Sequence, residues 1–393
     1  MYDVIVVGAR CAGAPTALLL AGAGHRVLLA DRATFPSDMR LSTHLVWPAG
    51  VARLARWGLH DALAATGCPP LTDAAVDLGP FALHGPMPVA DGVGTAYVPR
   101  RRVLDALLVD AAVAAGAELA EGFSVEDLVW DGGAVAGVRG RSGGRPVRVR
   151  ARIVIGADGT RSRIARLVRA REYATRPPVQ GCYFSYWSGA PVATGTLYPR
   201  DGRTVYAFPT HDDLTLVGVN WRIERWREVR ADVDGEHRRA VADAAPELAE
   251  QLAAGRREER WVGAATPGFL RTPFGPGWAL VGDAGHTKDP CTAQGITEAW
   301  RQAELLAAAV HDGLGGRVPL PVALAGFHRQ RDAGVMPIYE FTSQTARMEP
   351  PTPEEAALLA SLQGDPVATA RFFGVLAGTV DPAEFFGAAP AAA

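Results

Sequence analysis

The sequence predicts an α/β fold: a discontinuous parallel-sheet domain, an inserted antiparallel sheet and C-terminal helices. Three observations predict it. An apolar run, Tyr2–Val7, leads through a glycine turn and a small-residue helical stretch to a second run, Arg26–Ala30. That is a βαβ unit of about 30 residues, Rossmann-like in its order. Two later apolar runs, Arg152–Ile155 and Trp278–Val281, each end near a turn of Gly and Asp, Asp158-Gly159 and Gly282-Asp283. Between 181 and 221 the chain changes to aromatic-rich runs punctuated by Pro and Gly, as in an antiparallel sheet.

Taken in order, Tyr2–Val7 is apolar without alternation, as a buried parallel strand should be. Ala14–Ala23 is small and apolar, a helix packed close to the sheet, and Gly24 ends it. Asp31 sits at the tip of the second strand. Arg100–Ala115 reads as a helix with Val103, Leu104, Leu107 and Leu108 on one face. Phe123–Trp130, Ala134–Gly140 and Pro146–Arg150 read as a meander whose first turn is Asp131-Gly132-Gly133, with Arg152–Ile155 as a separate buried strand. Arg222–Arg230 and Glu236–Gly255 are charged and helical. From Thr297 the chain is mostly helical, broken by turns near Pro350 and Pro353, and frayed over 388–393. The expected division is 1–75, 96–178 and 269–345 for the parallel-sheet domain, 76–95 and 179–268 for the inserted sheet, and 346–393 for a C-terminal helical segment.

Composition bounds the function. The chain has 393 residues, too many for one core, and 48% are hydrophobic. A net charge of −2 gives no bulk attraction to nucleic acid or an anionic membrane. Asp3 precedes the first apolar run, unlike a signal peptide, and the longest apolar stretch, Cys11–Gly24, is too short to span a bilayer. Cys11, Cys68, Cys182 and Cys291 have no C-x-x-C spacing, so neither a zinc site nor a disulfide framework is expected. The expectation is a cytoplasmic monomer or homodimer with a small-molecule substrate, no metal, and neither nucleic acid nor membrane as partner.

Three stretches carry chemistry. In Gly8-x-Arg10-x-x-Gly13, Gly8 permits a tight strand-to-helix turn and Gly13 lets the helix approach the sheet. The helix N-terminus then offers N–H groups to a pyrophosphate. Arg10 replaces the usual middle glycine, where its side chain would reach or shield phosphates. Asp31, eighteen residues after Gly13, is placed to accept bonds from a ribose. Asp158-Gly159 puts a carboxylate just beyond a parallel strand, where such sheets bind ligands. Gly282-Asp283 repeats that pattern, with Asp283 placed for ribityl hydroxyls. Pro290, Gly295 and Ile296 then open a helix whose positive end suits the pyrimidine edge of a reduced flavin. Each stretch alone is also an ordinary turn. Together, in this order, they point to FAD.

On these residues the chain resembles the group A flavoprotein monooxygenases, the para-hydroxybenzoate hydroxylase family, and related FAD-dependent oxidoreductases, over most of its length. The resemblance implies that Gly8, Ala12, Gly13 and Asp31 hold the ADP portion of FAD, with Arg32, Arg40 and Arg101 in the same set. Arg101, with Leu104 and Leu108 three and seven residues on, fits a pattern typical of the family. Asp158 and Gly159 would touch FAD and the path of NAD(P)H, Gly282 and Asp283 the ribitol, and Pro290 the isoalloxazine. The chain departs from the pattern at Arg10, at the arginine closing the Asp-Gly motif (displaced to Arg166), and in the polar run Gly285–Asp289. It has no Trp-x-Trp-x-Ile-Pro run, which separates it from tryptophan-type halogenases. The implied reaction is reduction of FAD by NAD(P)H, capture of O2 as a flavin C4a-hydroperoxide, and hydroxylation of an electron-rich aromatic or polyketide-like molecule. Such a site must exclude water and helps to ionise the substrate.

On the substrate side, His44 is a candidate base or substrate contact, with Trp47 in the same run; a structural or helix-capping histidine is the competing reading. Lys288, the single lysine, would meet flavin or peroxide, or else pair with Asp289 at the surface. Tyr183, Tyr206, Phe208 and Trp221 would line a pocket for a planar substrate, or pack as core. Two alternatives stand beside hydroxylation: a reductase or dehydrogenase of the geranylgeranyl-reductase type, compatible with the Arg101–Asp105 spacing, and a non-enzymatic flavin-binding or partner-docking protein.

Overall fold

A parallel sheet and an antiparallel sheet lie on either side of one long cavity. The computed structural model describes residues 1–387, so the frayed end expected over 388–393 lies outside the described residues. In the first sheet the strands run Phe274–Gly275, Trp278–Leu280, Arg145–Gly156, Tyr2–Val7, Val27–Ala30 and Glu118–Ala120. Pairing is parallel from Trp278–Leu280 across to Glu118–Ala120. Alternate side chains of the first strand feed two cores. Val4 and Val6 pack under the helices Gly13–Gly22, Arg101–Ala114 and Gly295–Leu314, whereas Ile5 and Val7 pack under the Phe123–Ser142 hairpin.

The expected third meander strand and the buried strand after it are one continuous strand, Arg145–Gly156. Its first half pairs antiparallel with Ala134–Ser142, and its second half pairs parallel with Tyr2–Val7. Burial follows, alternating up to Arg152 and complete from Ile153 to Gly156. No turn residue separates the halves, so the backbone had no reason to break at Ala151.

The second sheet runs Arg256–Arg257, Gln180–Ser188, Thr215–Arg222, Arg203–Pro209, Gly195–Arg200, Asp73–Asp77 and Ala82–Pro86. An eighth strand, Val262–Ala264, pairs with Gln180–Ser188 off this path, and Gly195–Arg200 pairs parallel with Asp73–Asp77, so the sheet draws on residues 73–86 as well as 180–264. One face packs on the helices Val233–Ala244 and Pro246–Ala254. The other faces the cavity and the C-terminal helices Pro353–Ser361, Pro366–Ala377 and Pro382–Gly387. The helical stretch expected over 236–255 breaks at Ala245, where Pro246 starts a new helix. Among the described residues no helix is long and apolar enough to cross a membrane.

His237 sits under the helix-covered face, stacked on Trp187 at 5.3 Å and 4.6 Å from Trp261. Burial, aided by Arg257, holds its imidazole at about 3, far below the usual histidine range. In the unfolded chain it titrates near 6.5. The folded state therefore binds the proton less readily, so the contribution is complete above pH ~6.5 and is lost as pH falls towards the folded value. Each pH unit between the two midpoints adds about 1.4 kcal/mol. Thermal midpoints recorded from pH 8 down to 4 by differential scanning fluorimetry should fall below about pH 6.5. His237→Phe should flatten that fall, and an unchanged slope would refute the assignment.

Candidate cofactor and substrate site

The three glycine–aspartate motifs meet because the parallel strands end in register. Val7 lies beside both Ala30 and Gly156, and Gly156 beside Leu280. Backbone pairing then continues into the motifs: Gly8 N–H donates to Ala30, Ala157 N–H to Val7, and Val281 N–H to Gly156. The crevice at this strand edge lies between Tyr2–Val7 and Arg145–Gly156, where the strand order reverses.

Two glycines bring the motifs into contact. A Cβ on Gly8, whose φ is +103°, would fall 2.4 Å from the Ala157 carbonyl, and one on Gly282 2.6 Å from the Ala12 methyl. The carboxylates lock the turns. Asp31 accepts from Ala9 N–H (2.7 Å) and Ala33 N–H (2.8 Å), and Asp158 from the Ser162 hydroxyl and from Arg163 and Ile164 N–H. Asp283 faces the open cavity but is ringed by protein atoms, and this desolvation raises its carboxyl above the usual carboxylate range; Thr160 donates to it.

One continuous cavity of about 1900 Å³ starts at Gly8 and Asp31, passes Asp158 and Asp283, and continues between the second sheet and the C-terminal helices. Single drug-sized ligands occupy roughly 300–1,000 Å³, so there is room for a dinucleotide and a second molecule. Of the sequence-derived cofactor residues, Gly8, Arg10, Ala12, Asp31, Arg32, Arg101, Asp158, Gly159, Gly282, Asp283, Pro290, Gly295 and Ile296 line it. Gly13 does not; it lies 1.7 Å (as a hypothetical Cβ) from the Gly8 carbonyl and serves the close helix approach. Arg40 is exposed and does not line the cavity, because its loop points it to solvent.

The residues fit FAD. The 20-residue helix Gly295–Leu314 begins without a side-chain cap, so its first N–H groups are free towards the cavity. At the other end, Arg10 and Arg101 converge on Asp105, which is fully buried. Arg10 lines the cavity while its guanidinium is held by protein partners. Its guanidinium swings aside to Asp105 (2.8 Å) and Ser37 (2.8 Å).

The inserted sheet decides which aromatics reach the cavity. In Gln180–Ser188 and Thr215–Arg222, alternate residues face opposite sides. Tyr206 and Phe208 line the cavity, joined by Cys182, Phe184 and Asn220. Tyr183 and Trp221 do not, correcting the expectation for them: Tyr183 stacks on Trp226 at 4.8 Å, and Trp221 is buried in the helix-covered core. Gly218 makes room for the Tyr206 ring, since a Cβ there would lie 2.3 Å from it. Also missed were Phe341 from the helix Leu320–Thr345 and Phe372 and Phe373 from the C-terminal helices, for which no local motif signals a site.

His44 and Trp47 both line the cavity. His44 is 2% exposed and has a positive φ of 53°. Its Nε2 bonds the Tyr186 hydroxyl at 2.5 Å, and its Nδ1 has no partner among the described residues. Burial, with Arg101 and Arg100 nearby, depresses its pKa well below the usual range, so it is neutral. Trp47 Nε1 donates to the Thr292 carbonyl. Lys288 does not pair with Asp289 at the surface. It is buried and ion-paired to Glu298 on the cofactor-side helix. Asp289 instead accepts from Gln180 and Cys291 N–H. No cluster of three or more His, Cys, Asp or Glu poised for a metal exists among the described residues.

The FAD binding domain family model matches residues 1–331. The chain is 28% identical over 315 residues to a digeranylgeranylglycerophospholipid reductase of Methanocella arvoryzae, covering 76% of this chain and 74% of that protein. It is 26% identical over 317 residues to a 6-methylpretetramide 4-monooxygenase of Streptomyces rimosus, covering 79% and 76%. Among solved structures it is similar to PqsL of Pseudomonas aeruginosa in complex with 2-aminobenzoylacetate, with a TM-score of 0.75 and 27% identity over 95% of this chain and 99% of that one.

Two substitutions separate cofactor contact from folding. Asp283→Ala should lower FAD affinity about tenfold or more while leaving circular dichroism unchanged, the scale of hydrogen bonds to a charged acceptor. Gly13→Ala should lose both, because the added methyl has no space. Undiminished flavin retention by Asp283→Ala would contradict the placement. From strand register to family match, the observations agree: the chain belongs to the FAD binding domain family and is an FAD-dependent oxidoreductase.

Proposed function

We propose that the protein is a monooxygenase that uses NAD(P)H and O2 to hydroxylate an electron-rich aromatic or polyketide-like molecule. One observation carries this reading: the cofactor trench opens beside Pro290 into an apolar chamber walled by the inner sheet face and the C-terminal helices. When bound, FAD supplies the redox chemistry and the activated oxygen. The side chains supply the rest. Phe184, Tyr206, Phe208, Phe372 and Phe373 offer flat apolar surface to a planar ring and limit water in the chamber. Neutral His44, backed by Tyr186, keeps a polar group at the chamber wall without placing a positive charge there. Lys288 and Glu298 neutralise each other beside the helix N-terminus, which leaves the helix end as the local source of positive potential.

The similarity to the Streptomyces monooxygenase supports this reading, and the similarity to the Methanocella reductase supports the alternative of a flavin-dependent reductase. We place the protein in the cytoplasm, with its four cysteines free.

Purified protein should be yellow, phenolic substrates should stimulate NAD(P)H oxidation, and labelled O2 should enter the product. Turnover without oxygen would transfer the reading to the reductase, and protein that cannot be loaded with FAD would end both. His44→Asn, chosen because Asn tolerates a positive φ, should keep FAD and reduce kcat by about tenfold or more. An unchanged kcat would reduce His44 to a structural role.

A further inference from the structure

We propose that Asp289, oriented by Gln180, accepts the hydrogen of a substrate hydroxyl, so that the substrate is a phenol or enol and not an unfunctionalised hydrocarbon chain. The inference rests on the hydroxylase reading and names the group on the substrate that this site requires.

Gln180 and Asp289 meet where the two lobes face each other. Gln180 starts the inner strand of the second sheet, and Asp289 immediately precedes Pro290 on the cofactor side. Both line the cavity and are nearly buried, 3% and 8% exposed. Gln180 Nε2 donates to Asp289 Oδ1, which also accepts from Cys291 N–H at 3.0 Å. That oxygen is satisfied and the carboxyl plane is fixed. The Cys291 thiol also lies against this carboxylate, but Asp289 Oδ2 itself has no hydrogen-bond partner among the described residues, and neither has Gln180 Oε1. Two unpartnered acceptor oxygens thus lie on adjoining side chains.

A buried acceptor left without a donor costs about 1–3 kcal/mol, and more if charged. Lys288, its neighbour in the chain, ion-pairs with Glu298 and not with Asp289. The other base candidate, His44, has its Nε2 on Tyr186 and an Nδ1 without a partner among the described residues, but it is a separate side chain from the paired oxygens of Asp289 and Gln180. What the oxygens lack is a donor, and a hydroxyl on an otherwise apolar molecule supplies one while the apolar chamber takes its body. Desolvation raises the Asp289 carboxyl to about 6, nearer the proton affinity of a phenol than an ordinary aspartate lies. The step balances simply. The substrate O–H bond breaks, its electron pair stays on the substrate oxygen, and the hydrogen bonds to Oδ2, so negative charge passes from carboxylate to ring oxygen without any redox change.

The test uses FAD-loaded protein without nicotinamide or oxygen, so no turnover occurs. Binding of 2-naphthol and of 2-methoxynaphthalene is followed by perturbation of the flavin absorbance. The methyl ether keeps the ring and oxygen but cannot donate. Wild-type protein should prefer 2-naphthol by about tenfold or more, the scale of a hydrogen bond to a charged acceptor. Asp289→Asn keeps an oxygen for Cys291 N–H but presents an amide that both probes can accept from, so the preference should fall below about threefold with ether binding retained. Gln180→Met should also reduce the preference, and it decides the matter if Asp289→Asn fails to fold or to hold FAD. Equal affinities in wild type, no binding of either probe, or an undiminished preference in the variants would overturn the proposal. Preference for naphthol without any oxygen-coupled turnover of phenols would instead refute the hydroxylase reading and leave the hydroxyl-acceptor role standing.

Discussion

The shared finishing row of the parallel strands is the constraint on which the rest depends. Val7, Ala30, Gly156 and Leu280 stand side by side, so residues more than a hundred positions apart leave the sheet at one edge. A strand register slipped by one residue would turn each apolar side chain to the other face and carry its motif away from its neighbours. The two cores on either side of the sheet prevent this. Val4 and Val6 belong to one and Ile5 and Val7 to the other, and all are almost wholly buried. Cofactor geometry is thus a consequence of ordinary strand packing, and the glycines serve to let backbones meet at that edge.

The second sheet imposes the complementary constraint. Its two-residue period sends Val217, Val219 and Trp221 under the helices and Leu216, Gly218 and Asn220 towards the cavity. The chamber is therefore an inner sheet face covered by helices that come last in the chain. Asp289 on the cofactor side and Gln180 on the second sheet touch inside the cavity, so one hydrogen bond links the two lobes there.

How much of this was legible in the sequence depends on whether the signal is local. Gly8, Asp31, Asp158 and Asp283 announce themselves, because turn geometry and strand ends are set by neighbours in the chain. The aromatic run 183–221 announced a sheet but not which of its faces meets the cavity. Tyr183 and Trp221 looked equivalent to Tyr206 and Phe208, and only strand phase relative to the covering helices separates them. Phe372 and Phe373 carry no motif at all; their place in the chamber is fixed by tertiary docking. For Lys288 the sequence offered a flavin contact or a surface pair with the adjacent Asp289. In the fold one turns to Glu298 and the other to Gln180, because consecutive residues entering a turn point in different directions.

Arg10 shows how a departure from a motif is absorbed. The middle glycine of a phosphate-binding turn is there so that backbone approaches phosphate closely. An arginine is compatible with that only if its side chain leaves the space, and a buried carboxylate gives it somewhere to go. Asp105 is completely buried and receives both Arg10 and Arg101, with the Cys11 thiol as a third donor at 3.3 Å. Two guanidinium groups share the one buried carboxylate, with Asp283 also acting on Arg101 and Asp31 bonded to the turn at Ala9 N–H. The substitution thus exchanges a small residue for a charged one and keeps the requirement of the turn. Backbone access is preserved because the arginine is drawn sideways to Asp105 and Ser37.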